Sequence, residues 1–171
     1  GTRKSSSNNG LATAPSRGST TGGAIWDGGR VAAGITVGTR FSFAVEIEPN
    51  PNIHVYAPGA DELGYRVIGL NLNPVEHVRF EPVIFPESEI YHFVPLDERV
   101  PVYQRPFTLL QEAVVSGEPG VEDAFRELDA LTVSGTLDYQ ACDDEICFNP
   151  VSLPVSWTVS LRPVVFQRPG R

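Results

Sequence analysis

The chain of 171 residues contains no methionine, only two cysteines and three histidines. No apolar run approaches the roughly 18 residues that a membrane-crossing helix needs, and no secretory leader is visible. Bases are scarce, 13 against 21 acids, for a formal charge of −8. Each absence excludes something. So acidic a surface is a poor match for nucleic acid or an anionic membrane, both of which select basic faces. Without a spanning run, this segment is not expected to insert into a bilayer. Without methionine the natural start is missing, so the chain reads as an excised or processed piece of a longer protein. Any export signal would have gone with the removed part, and the compartment has to be inferred from chemistry.

What is present is an ordinary globular composition, 41% apolar and 20% charged, long enough to bury a core. Residues 1–22 hold 15 residues of the Gly, Ser, Thr or Asn type and no acid. Such a stretch buries too little apolar surface to offset its ordering entropy, and it reads as a flexible tail, a linker or an expression scar. Residues 23–163 are then the folded domain and residues 164–171 a C-terminal tail. The part after residue 22 carries 10 bases and 21 acids, so it is more acidic than the whole.

From there the hydrophobic period is two. In "RFSFAVEIEP", Phe41, Phe43, Val45 and Ile47 alternate with Ser42, Ala44, Glu46 and Glu48. "NIHVYAPG", "YRVIGLNLNP", "VRFEPVIFP" and "PFTLLQEAVV" read as further short strands, and "LTVSGTLDYQA" puts Leu131, Val133, Gly135, Leu137 and Tyr139 on one face. In "VSLPVSWTVSL", Val151, Leu153, Val155, Trp157, Val159 and Leu161 face one way, and Ser152, Pro154, Ser156, Thr158 and Ser160 the other. Only "EPGVEDAFREL" could form a turn or two of helix. Many short strands with 15 prolines and 16 glycines between them predict an all-β fold, an immunoglobulin-like antiparallel β-sandwich, with a closed barrel as the alternative.

Both cysteines fall in "YQACDDEICFNP", Cys142 and Cys147 flanking Asp143–Ile146. A short hairpin loop sets its flanking residues opposite one another, within the ~4.4–6.8 Å between Cα atoms that a disulfide needs. Three readings follow. As a staple, so short a ring contributes only about 2 kcal/mol of loop entropy, and the immunoglobulin-type structural bond joins distant strands instead. As a metal site, two cysteines fall short of four-coordinate zinc, and His54, His77 and His92 stand at no ligand spacing. The lack of methionine removes the usual axial ligand of blue copper, although a copper site of two cysteines and one histidine stays open. As a redox couple, the pair sits where a partner thiol can reach it. Asp138, Asp143, Asp144 and Glu145 then crowd the thiols with negative charge and disfavour the thiolate, or else form a solvated turn.

The stretch "GTLDYQACDDEICFNPVSLPVSW" resembles the N-terminal periplasmic domain of the DsbD thiol–disulfide interchange family, through Tyr139, Gln140, Ala141, Cys142, Cys147, Phe148 and Pro150. Weaker likeness in "RFSFAVEIEP", "NIHVYAPG" and "PVYQRPF" extends it over most of residues 35–161, with an inter-cysteine loop one residue shorter than the best-known form. The resemblance implies an exported, periplasmic domain that takes electrons from a thioredoxin-like domain and passes them to periplasmic oxidoreductases. It would act as a thiol:disulfide oxidoreductase with no bound cofactor. Carried over, Cys147 forms the mixed disulfide with partners and Cys142 resolves it. A capping loop would lie near residues 90–105, with Phe93, Leu96 or Tyr103 as the cap. Phe148 and Tyr139 would offer docking surface, or else pack in the core. Pro150 and Pro154, just past the second cysteine, point to an edge strand. A monomer is expected. The rival readings are a non-catalytic immunoglobulin-like interaction module with an incidental disulfide, and copper delivery.

Overall fold

The structure, a computed structural model, describes residues 40–161 and, before them, four short strands: β1 (Leu11–Thr13), β2 (Arg17–Thr20), β3 (Trp26–Asp27) and β4 (Arg30–Ala33). Of the two stretches read as tails, the rest of residues 1–22 and all of residues 164–171 lie outside the described residues. The chain continues through β5 (Arg40–Pro49), β6 (His54–Tyr56), β7 (Gly69–Leu72), β8 (Val78–Phe80), β9 (Glu89–Phe93), β10 (Glu98–Tyr103) and β11 (Phe107–Val115). A short helix, α1 (Val121–Arg126), precedes β12 (Ala130–Tyr139), β13 (Ala141–Cys142) and β14 (Val151–Leu161).

Three sheets form. One runs β1-β5-β11-β8 with β2 also on β5, a second runs β13-β6-β10-β9, and a third runs β3-β4-β14-β12-β7. All pairings of the named strands are antiparallel except β14 with β4. The first and third sheets face each other across one core, where Phe43 meets Trp157 at 5.1 Å between ring centroids. The architecture is the expected immunoglobulin-like β-sandwich, with the cysteines on a hairpin.

The alternation read from the sequence is what fills this core. Phe43, Val45 and Ile47 of β5 and Leu131, Val133, Leu137 and Tyr139 of β12 are buried. On β14, Trp157 and Val159 are buried and Val151, Leu153 and Val155 pack against the same cluster. The side chains of Phe41 and Leu161 lie outside the described ones. Each fully buried aliphatic side chain stabilises the fold by about 1.5–3 kcal/mol. Helix α1 adds Val121 and Phe125, one turn apart, to this core. Pro154 lies exposed on β14, which pairs with β12 from Val151 to Ser160 but with β4 only at Thr158–Leu161. Among the described residues, Val151–Trp157 is therefore an open edge, where a missing backbone donor costs nothing.

Residues 90–105, where a capping loop was expected, are largely ordered as strand. Most of the stretch forms the hairpin β9–β10, turned by a 3-10 segment, Val94–Leu96, and by Asp97 in the left-handed region at φ 51°. Strand β10 also pairs with β6, through Val102 and Tyr103. Tyr91 and Phe93 turn inward while Ile90 and His92 turn out.

Gly135 fixes how closely β7 crosses β12. A Cβ there would stand 2.1 Å from the Asn71 carbonyl oxygen and 2.8 Å from Leu72 Cα, both backbone atoms that cannot swing aside. Gly135→Ala is expected to cost about 3 kcal/mol in denaturant unfolding, whereas Gly69→Ala, where the nearest atom is a side-chain nitrogen at 3.8 Å, serves as the mild control.

Candidate functional site

Strand β13 is two residues long, and its register with β6 builds the site. Ala141 pairs with Val55 and Cys142 with His54. Side chains alternate along a strand, so Val55 and Ala141 enter the main core while Cys142 and Tyr56 stand on the other face of the sheet. There a second, smaller apolar cluster forms from Tyr56, Ala60, Val100, Val102 and Cys142, with Tyr65, Val67 and Tyr91 packed against it.

Beyond Cys142 the chain turns back at once. Asp143 N–H donates to the Ile146 carbonyl at 2.9 Å, and Phe148 N–H to the Ala141 carbonyl at 2.8 Å. These bonds flank Cys142 and Cys147, making them a non-hydrogen-bonded antiparallel pair, the closer of the two kinds. Their Cα atoms are 4.0 Å apart, slightly nearer than the expected range, and their sulfurs are bonded. The Asp143 carboxylate accepts from the backbone N–H of Glu145 at 2.8 Å and of Ile146 at 2.7 Å. Those two donors hold its pKa below the ordinary value of 3.8. Gln140 Nε2 donates to the Phe148 carbonyl at 3.0 Å, tying the returning strand from outside.

The two cysteines differ sharply in access. Cys142 is 1% exposed, whereas Cys147 is open to solvent. Cys147 lies at the rim of a hollow of about 450 Å³, counting its open mouth, walled by the rings of His54, Tyr56, Tyr65, Tyr91 and Phe93 and edged by Asp143–Ile146. The rings form a connected array. Tyr56 stacks on Tyr65 at 4.4 Å, and His54 stacks on Tyr91 at 4.5 Å.

Each phenol of this array is engaged. Tyr56 OH lies 3.6 Å from Cys147 Sγ, Tyr65 OH donates to Glu98 at 2.6 Å, and Tyr91 OH donates to Asp144 at 2.7 Å. The hydrogen bonds to carboxylates push Tyr65 and Tyr91 up to about 12. Burial raises Tyr56, with Glu98 adding to it. Burial lowers His54, opposed in part by Asp144 and Asp143.

Of the residues singled out in the sequence, Cys142, Cys147, Asp143, Asp144, Glu145 and Phe93 come together here. Tyr139 is buried in the main core, and Phe148 packs against that core. Tyr103 is also a core residue, stacked on Phe107 at 4.1 Å and donating to the Pro86 carbonyl. Leu96 sits exposed on the β9–β10 turn and does not line the hollow. His77 lies beside Phe125 and His92 beside Asp97, so His54 alone of the three histidines lines the hollow. Among the described residues, no group of three or more His, Cys, Asp or Glu side chains is placed to hold a metal ion.

His54, Tyr56, Tyr65, Tyr91 and Glu98 were not foreseen. One signal was available: in "HVY", period two puts His54 and Tyr56 on one face. The other three arrive from separate elements, and only the fold joins them.

No family model matches the chain, and no curated protein does. Among solved structures, it is similar to the N-terminal periplasmic domain of ScsB from Proteus mirabilis, with a TM-score of 0.51 and 12% identity over 92% of this chain and 49% of that one. It is also similar to the Neisseria meningitidis DsbD N-terminal domain in its reduced form, with a TM-score of 0.40 and 16% identity over 70% of this chain and 76% of that one. The likeness is one of fold, at low identity, and the chain spans about half the length of the ScsB chain.

The Asp143 turn generates a pH prediction with a definite sign. Its folded pKa is depressed below 3.8, so its stabilisation is complete above the unfolded value and is lost as pH falls through the folded one. The stability difference between the wild type and Asp143→Ala, measured by denaturant at a series of pH values, is expected to be constant at neutral pH and to vanish in acid. A difference that grew on acidification would contradict the assignment.

Proposed function

We propose that this domain is an exported thiol–disulfide exchange module that relays reducing equivalents through Cys142 and Cys147. The observation that carries the reading is the unequal access of the two sulfurs within so small a ring. A partner thiolate can approach Cys147 over the open hollow, while Cys142 lies beneath in the sheet face. In exchange, that thiolate attacks Cys147 Sγ, the intramolecular bond breaks and Cys142 leaves as the thiol; a second donor thiol then closes the donor's own disulfide and frees Cys147. Toward an acceptor, the Cys147 thiolate attacks the acceptor disulfide and Cys142 resolves the mixed disulfide so formed. A ring of this size is worth only about 2 kcal/mol as a staple, and the hairpin bonds beside it already hold the strands.

The partners fitting this chemistry are thioredoxin-like domains as donors and oxidoreductases of the same exported compartment as acceptors. Phe93 and the tyrosine rings of the hollow are their apolar docking surface, and Asp143, Asp144 and Glu145 set the reactivity of the pair. Like charge beside a thiol disfavours its ionisation, so the reduced pair reacts slowly with stray oxidants and faster once docking changes its surroundings. The likeness in fold to the ScsB domain supports an exported setting.

Two measurements test this. Equilibration with glutathione buffers is expected to give a reduction potential above about −300 mV, since a value far below it marks an inert structural bond. Cys142→Ser is expected to accumulate a mixed disulfide with a thioredoxin-like protein, and Cys147→Ser to form none. A double Cys→Ser variant that kept partner and function intact would instead favour a plain interaction module.

A further inference from the structure

Exchange at the exposed sulfur leaves a difficulty at the buried one. Cys142 is 1% exposed among Tyr56, Ala60, Val100 and Val102, an apolar setting in which a free thiolate is costly. Asp143 and Asp144 do not relieve this, since each adds negative charge.

The residue facing Cys142 across the sheet is His54, its antiparallel partner. Residues so opposed place their Cβ atoms about 4.5–5.5 Å apart, so the imidazole and the Cys142 side chain share one face of the sheet. His54 is itself 3% exposed, lines the hollow, and is held by stacking on Tyr91 and by an edge contact with Tyr56 at 5.5 Å. Its ring nitrogens make no hydrogen bond among the described residues. An imidazole that lines the hollow, on the same sheet face as a buried sulfur, is placed between that sulfur and solvent.

We propose that His54 is the acid–base partner of Cys142, an assignment that rests on the exchange reading above. In the resolving direction the neutral imidazole accepts the proton of the Cys142 thiol. The resulting thiolate attacks Cys147 Sγ, the Cys142–Cys147 bond forms, and the bond from Cys147 to the partner sulfur breaks. The partner leaves as a thiolate, and the imidazolium returns its proton to solvent through the hollow. Over the two steps the cysteine pair is oxidised by two electrons and the partner disulfide reduced by two; the reverse direction retraces the path, with His54 protonating Cys142 as it leaves. The groups facing His54 suit this cycle. Tyr91 from β9 and Tyr56 from its own strand hold the ring in place, while Asp143 and Asp144 from the inter-cysteine loop stabilise the imidazolium. The acids therefore oppose a lone thiolate and support the proton transfer that makes one.

Reduced protein treated with dithiobis(nitrobenzoate) reports the two steps separately. Attack by Cys147 releases one coloured thiolate, and resolution by Cys142 releases a second. His54→Phe is expected to slow the second phase at least about tenfold near neutral pH and to give it the pH profile of an unassisted thiol. His54→Asn, which is polar but takes no proton in this range, is expected to do the same and covers the case in which the phenylalanine variant fails to fold. Equal second-phase rates and pH profiles in wild type and both variants overturn the role of His54 alone. Absence of a second phase in the wild type overturns the exchange reading and the role of His54 with it.

Discussion

The pairing of Ala141–Cys142 with His54–Val55 is only two residues long, yet the arrangement of the site depends on it. A slip of one residue would turn Cys142 into the main core and Ala141 out toward the hollow. Two things prevent the slip. Val55 and Ala141 are fully buried in the main core, so any other register exposes apolar surface there. The Phe148 N–H to Ala141 carbonyl bond then sets the returning strand against the outgoing one. With the register fixed, Cys142, His54 and Tyr56 share a face, and the β9–β10 hairpin supplies Tyr91, Phe93 and Val100 to wall it.

The electrostatics of that face are arranged around carboxylates that are already engaged. Asp143 is held by two backbone donors, Asp144 by Tyr91 and Glu98 by Tyr65. Each contact orients a ring or a turn, so the negative charge of the rim also shapes the aromatic wall. The acids between the cysteines, read in the sequence as a choice between thiol restraint and solvated turn, are in part turn structure. Asp143 closes the loop on itself, and Asp144 ties the loop to the neighbouring hairpin. Their effect on a nearby thiol is a consequence of where those bonds hold them.

The sandwich could be read in advance because β5, β12 and β14 each bury one face, so their hydrophobicity alternates. The hairpin carrying the cysteines could be read because two chain-adjacent strands flank a short loop. Of the rest of the site, only the shared face of His54 and Tyr56 could be read. All three residues of β6 are buried because both faces of that strand are covered, and a strand covered on both sides loses its alternation. Strand β9 keeps a period of two but inverts its apparent polarity, with Ile90 61% exposed and the more polar Tyr91 turned inward to meet Asp144. That choice is made by a hydrogen bond from a distant loop, which no local pattern encodes. The cap candidates suffered from the same gap: Phe93, Leu96 and Tyr103 are equally aromatic or apolar in sequence, and only the hairpin register sends Phe93 to the hollow and Tyr103 to the core.

The proposed exchange requires that the bond be separable from the fold that presents it. The backbone bonds on either side of the cysteine pair, from Asp143 to Ile146 and from Phe148 to Ala141, involve no sulfur. The Asp143 turn and the Tyr91–Asp144 contact likewise do not need the disulfide in order to form. Breaking a ring that encloses so few residues returns little entropy to the unfolded chain, about 2 kcal/mol at most, so reduction is expected to change the stability of the domain little. Had the two cysteines stapled distant strands of the sandwich, each reduction would have weakened the core that positions the site. The short ring avoids that coupling, and it leaves the buried sulfur, rather than the fold, as the place where the energetic cost of opening the bond is concentrated.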